Sequence, residues 1–96
     1  VKDVNVYNKI FEAVEKVPGA SNPHRVRSRM IGNRYIITLD IEVNPHITIT
    51  QAHEIAGAVE KSIEDSIDNV YDILVHVEPA GECQTDEKFG VNKGMV

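Results

Sequence analysis

The stretch Tyr71-Asp72-Ile73-Leu74-Val75-His76-Val77-Glu78-Pro79 decides how this chain folds. Ile73, Val75 and Val77 alternate with Asp72, Leu74, His76 and Glu78, the period-two pattern of a half-buried strand. Pro79 cannot donate a ladder hydrogen bond and marks where the strand stops. Side chains two apart share a face, so His76 and Glu78 point the same way at that closing end. An imidazole beside a carboxylate offers two good ligands to a divalent metal.

Working back toward the N-terminus, Asp68-Asn69 separates this strand from an amphipathic helix. Its Ala52, Ile55, Ala56, Val59 and Ile63 supply a buried stripe that continues toward Ile67, and Thr48-x-x-Gln51 reads as the capping box that opens it. Ahead of that helix, Tyr35, Ile37, Leu39, Ile41 and Val43 alternate with Arg34, Ile36, Thr38, Asp40 and Glu42. This is the clearest strand in the chain, closed by Asn44-Pro45. Gly32-Asn33 is a two-residue hairpin turn joining it to a strand from His24 to Met30, where charged residues alternate with Val26, Ser28 and Met30. Ala20 to Pro23 reads as a connector. Val4, Tyr7, Ile10, Phe11, Val14 and Val17 recur at three- and four-residue steps, the apolar stripe of a first helix that Pro18-Gly19 ends. Residues 1–79 thus form the domain. The polar residues from 80 to 96, with glycines at 81, 90 and 94, predict a flexible C-terminal tail.

The order helix, strand, strand, helix, strand has one reasonable folding. The adjacent strands pair as an antiparallel hairpin. The second strand, second helix and third strand make a right-handed crossover with parallel strands. The expected fold is α+β: a ferredoxin-like αββαβ arrangement, with a three-stranded mixed sheet and both helices on one face.

Composition narrows the function. With 96 residues the chain makes one domain with one modest core. It carries no apolar run approaching the roughly 18 to 20 residues of a membrane-spanning helix, and no basic-then-apolar start that would read as a signal peptide. Opening at Val1 without a methionine, it reads as a fragment of a larger protein. A net charge of −5 disfavours nucleic acid and anionic membranes as main partners and favours cations. The single cysteine, Cys83, permits no intramolecular disulfide and fits a reducing compartment.

The topology also gathers ligands. Asp40 lies three residues before the end of its strand and His76 three before Pro79, so in parallel neighbours the two are level. Asp40, His76 and Glu78 are out of phase with their strands' apolar sets and project from the helix-free face. His53, in the opening turns of the second helix, sits above the same edge, and His24 arrives there at the start of the antiparallel strand. The phase of His24 matches the apolar set of its own strand. These five side chains converge on the carboxyl edge of the sheet, where open sheets with parallel strands generally bind ligands. His46, in the loop after the second strand, is expected to be solvent-exposed, as is the row Arg25, Arg27 and Arg29.

Taken together, Pro18-Gly19-Ala20, His24-x-Val26-Arg27-x-Arg29, Ile41-Glu42-Val43, Gln51-Ala52-His53-x-Ile55-Ala56 and Val75-His76-Val77-Glu78-Pro79 resemble the C-terminal cytoplasmic domain of the cation diffusion facilitators. The resemblance covers roughly residues 1 to 79. It implies a cytoplasmic module of a zinc, iron or manganese efflux transporter, lying beneath a membrane domain that this chain lacks. It further implies a homodimer, and divalent metal that biases the angle between protomers. His24, His53 and His76 match the family's metal-binding histidines, Asp40 falls where members carry His or Asp, and Glu78 matches an acidic position that can bridge two metals. Nitrogen and oxygen ligands without an obligatory thiolate suit Zn2+ and also accept Fe2+, Mn2+, Co2+ or Ni2+. Two other readings compete: a free-standing ferredoxin-like regulatory or small-molecule-binding module, and a two-metal hydrolase. No general base beyond the ligands and no phosphate-holding glycine loop is present, so no enzyme is expected.

Overall fold

The computed structural model describes residues 4–81. The expected tail from residue 82 onward, with Cys83, lies outside the described residues. Five elements follow in the expected order: α1 (Val4–Glu15), β1 (Ser21–Ile31), β2 (Arg34–Val43), α2 (Ile49–Ser66) and β3 (Val70–Pro79).

The sheet runs β1-β2-β3, with β1 antiparallel and β3 parallel to the central β2. Asp40 stands directly opposite His76, and Glu42 opposite Glu78. The core lies on the face made by Ile37, Leu39, Ile41 and Val43 of β2 and Ile73 of β3, covered by Val59, Ile63 and Ile67 and by α1.

Local chemistry sets the element ends. Thr48 and Gln51 form the capping box: the Gln51 backbone N–H donates to Thr48 Oγ1 (3.0 Å), and the Thr48 N–H donates to Gln51 Oε1 (2.9 Å). Two of the helix's otherwise orphaned backbone groups are thereby satisfied. α1 stops at Glu15, and the chain turns at Gly19, whose φ of +92° suits glycine. A Cβ at Gly19 would also lie 2.9 Å from Ile55 Cδ1 of α2, so a side chain there would displace the tip of Ile55.

Two details depart from expectation. The buried stripe of α1 is Val6, Ile10, Ala13 and Val14, continued by Val17, whereas Val4 is 64% and Phe11 39% exposed. Both sets obey the helical period. The observed one is the set whose direction lies over β1 and α2, and small Ala13 lets the Ser62 hydroxyl donate to its carbonyl (2.8 Å). Second, β1 begins at Ser21, absorbing most of the expected connector, and it is irregular. Its register against β2 slips between Ser21 and His24 and again between His24 and Arg27. In each interval three steps on β1 face two on β2, the signature of a β-bulge. The bulges coincide with left-handed residues Asn22 (φ +48°) and Arg25 (φ +50°). Pro23 is tolerated because β1 is an edge strand.

Candidate metal centre

The bulge at Arg25 places His24. Without it, His24 would share a face with Val26, which packs on the core. One extra residue reverses the phase, so His24 stands opposite Asp40 on the helix-free face. This bulge corrects the phase read from sequence, and the second, at Asn22, restores the original phase for Ser21.

Four of the five expected residues meet there. His76 Nδ1 lies 3.6 Å from Asp40 Oδ1 and 3.6 Å from Glu78 Oε2. His24 Nε2 lies 3.1 Å from Glu78 Oε1 and 3.8 Å from Asp40 Oδ2. An ion bound tetrahedrally at about 2.1 Å holds its ligand atoms about 3.4 Å apart, so the 3.6 Å separations need only small side-chain adjustments. Among the described residues, ligand atoms fall within 4.8 Å of one another in two groups: Asp40, His76 and Glu78; and His24, Glu42 and Glu78. Glu78 belongs to both. His53 is exposed on α2 and belongs to neither. His46 is exposed, as expected, and its N–H donates to Asn44 Oδ1 (2.8 Å).

Glu42 is the residue that sequence reasoning missed. It follows Asp40 by one period of the strand, faces the same way, and is only 8% exposed, as is Asp40. Its signal was present in the alternation, two places after a nominated ligand and level with Glu78.

The electrostatics favour a cation. Glu42 and Glu78 are like charges directly opposite across paired strands, an arrangement that destabilises a sheet unless compensated. Asp40 Oδ2 is buried and accepts no hydrogen bond, a costly condition for a carboxylate oxygen. The nearest basic groups to it are His24 and, at 3.7 Å, the Nε of Arg25, whose side chain is 65% exposed. His24 Nδ1 lies 2.7 Å from the Asn22 carbonyl. A carbonyl only accepts, so Nδ1 carries the hydrogen, which leaves Nε2, 3.1 Å from Glu78 Oε1, as the ring nitrogen turned toward the carboxylates. A divalent ion fits this donor set, and a carbonyl anchoring the non-ligating nitrogen is the usual way a metal-binding imidazole is oriented.

A two-layer α+β domain with an imidazole–carboxylate cluster at the carboxyl edge of its parallel strands is of a class whose donor set can hold a divalent cation. The comparisons with known proteins make this specific. Residues 3–80 match the family described as cation efflux protein, cytoplasmic domain, and the chain belongs to that family, one of transporter domains rather than enzymes.

Among relatives, the magnetosome protein MamM of Magnetospirillum gryphiswaldense is 36% identical over 73 residues, covering 76% of this chain and 23% of that protein. The manganese efflux system protein MneS of Bacillus subtilis is 30% identical over 81 residues, covering 82% and 26%. The chain therefore spans about a quarter of the length of these relatives. The metal-bound C-terminal domain of the CzcD transporter from Thermotoga maritima superposes with a TM-score of 0.77 at 38% identity, covering 81% of this chain and 91% of that one. A nickel form of the MamM CTD superposes at 0.76 with 34% identity, covering 80% and 98%. No helix among the described residues is long and apolar enough to cross a membrane.

Proposed function

We propose that this domain is the cytoplasmic regulatory module of a divalent-cation efflux transporter, binding zinc or a similar ion and stabilising the transporter's dimer. The observation that carries this reading is the convergence of ligand atoms of Asp40, His76 and Glu78 to within 4.8 Å of one another, with His76 Nδ1 3.6 Å from both Asp40 Oδ1 and Glu78 Oε2. The family membership and the metal-bound neighbours support it. Asp40, His76, Glu78 and His24 act as ligands, with Glu78 bridging where two ions bind. His53, exposed on α2, is a further ligand, available to an ion held against a second protomer. The ions are Zn2+, Fe2+, Mn2+, Co2+ or Ni2+, all compatible with imidazole and carboxylate.

The partner surface is the helix-free face, where Leu74 is 65% exposed and Ile36 half-buried; a second copy covers both. Two protomers of net negative charge repel, and cations at their junction relieve that repulsion. Metal shifts the dimer toward whichever arrangement binds it better, by the difference in affinity. The membrane domain of the same transporter is the remaining partner.

Isothermal calorimetry with zinc chloride tests the binding. The wild-type protein should bind at micromolar metal, and His76→Ala should weaken binding at least about tenfold with unchanged helical circular dichroism. No heat from the wild type overturns the reading. Loss of fold in His76→Ala would make that histidine structural instead.

A further inference from the structure

We propose that the hollow on the β1 side of the helix-free face, walled by Arg27 and Arg29, is an anion site that takes a phosphate group. The inference stands apart from the metal-binding role proposed above. It uses none of the metal ligands and is tested with metal absent.

The hollow measures about 560 Å³ and is lined by Tyr7, Arg27, Ser28, Arg29, Ile36 and Thr38, a volume within the range of small-molecule sites. Arg27 pairs with Thr38 and Arg29 with Ile36 across the β1–β2 ladder. Both arginines therefore share the helix-free face, about 6.8 Å apart along the strand. No carboxylate lines the hollow, although the chain carries 15 acidic side chains against 10 basic ones. The hairpin's other two arginines are engaged. Arg25 Nε lies 3.7 Å from Asp40 Oδ2, and the Arg34 guanidinium lies 5.9 Å from the centre of the Tyr71 ring. Arg27 and Arg29 make no ion pair among the described residues.

Two hydroxyls add further donors. β1 is an edge strand, and the Ser28 N–H turns away from β2 to donate to the Tyr7 hydroxyl at 3.2 Å. The phenol accepts there, so its own hydrogen is left to donate. The Thr38 hydroxyl, opposite Arg27, carries another. Two guanidiniums and two hydroxyls around one hollow match an anion with several oxygens and more than one negative charge. A carboxylate has two oxygens and one charge, which a single arginine satisfies. A phosphate monoester has three oxygens and about −1.5 to −2 charge at pH 7, enough for both arginines. Half-buried Ile36 gives an apolar contact to whatever the phosphate is attached to. Because Tyr7 stands at the free edge of β1, the hollow is reached from that edge as well as from the sheet face. A second copy laid over Ile36 and Leu74 leaves that way in. A lipid headgroup and a soluble phosphate present the same chemistry here, and the test separates them.

Backbone amide shifts, followed by nuclear magnetic resonance on protein kept metal-free by a chelator, test this. Sodium phosphate should produce saturable shifts centred on Arg27, Ser28, Arg29 and Thr38, and sodium chloride at matched ionic strength should not. Arg27→Gln and Arg29→Gln should each weaken phosphate binding by about 10- to 100-fold, and Thr38→Val by less. Lys61→Gln, on α2 outside the hollow, should leave it unchanged. Both arginines are exposed, and unchanged thermal unfolding will verify that the variants fold. Shifts that never saturate, shifts spread over lysines and arginines alike, or an affinity unchanged in both arginine variants overturns the assignment. Phosphatidylcholine vesicles with and without phosphatidic acid then identify the source. Sedimentation with the phosphatidic acid vesicles alone, lost in Arg29→Gln, places the phosphate on a lipid. Binding of free phosphate without retention on vesicles places it on a soluble ligand. None of these readouts involves zinc, so failure here leaves the metal centre standing.

Discussion

His24 shows how much a single side chain depends on its neighbours' backbone. Its ring faces the carboxylates because the bulge at left-handed Arg25 reverses the phase of β1 between Arg27 and His24, and the Asn22 carbonyl, 2.7 Å away, holds its Nδ1. A histidine so placed binds metal only when its Nε2 is free of a proton, and the same holds for Nδ1 of His76, the nitrogen that faces Asp40 and Glu78. Protons and metal therefore compete, and each ion bound displaces protons from the imidazoles. Zinc affinity should fall between about pH 7.5 and about pH 5.5, as read by calorimetry in a non-coordinating buffer. An affinity unchanged over that range would exclude histidine ligation.

At the scale of elements, α2 is the strut between the site's edge and the core. Its start is fixed by the capping box of Thr48 and Gln51 just after β2 ends, and its middle by Val59 and Ile63, both fully buried. These anchors differ in weight. Thr48→Ala loses a side-chain acceptor and should cost about 1 kcal/mol, lowering Tm by about 4–8 °C. Ile63→Ala opens a cavity at a position of 0% exposure and should cost about 2–5 kcal/mol. Thermal unfolding followed by circular dichroism will rank the two; a larger loss from Thr48→Ala would mean that the cap, rather than the packing against α1 and β3, holds this helix.

For the whole molecule, charge and topology act together. The fold collects Asp40, Glu42 and Glu78 at one edge of a chain already at −5, while all four arginines lie on the β1–β2 hairpin. Its helix-free face is left with an exposed Leu74 on β3. Small-angle scattering of the protein with and without zinc should show a metal-dependent change in the dimer's radius of gyration that His76→Ala abolishes. Identical profiles would separate metal binding from dimer geometry and sink the regulatory part of the proposed function.

The sequence by itself determined the element order, the pairing of the strands and the level placement of Asp40 beside His76. Period-two alternation, a capping box and the handedness of a crossover are local or nearly local constraints, and they leave few arrangements open. Only the tertiary structure decided the rest. Which stripe of α1 is buried depends on where that helix lands, so Val6 and Ala13 replace Val4 and Phe11 in the core. The direction of His24 depends on a bulge that appears only when β1 is paired with β2. Glu42 is an ordinary strand carboxylate in the sequence; packing buries it against Asn22 and beside Glu78. His53 keeps the correct element and still stands outside both ligand groups, because a helix start fixes a height above the sheet and not the direction of a side chain around the helix axis.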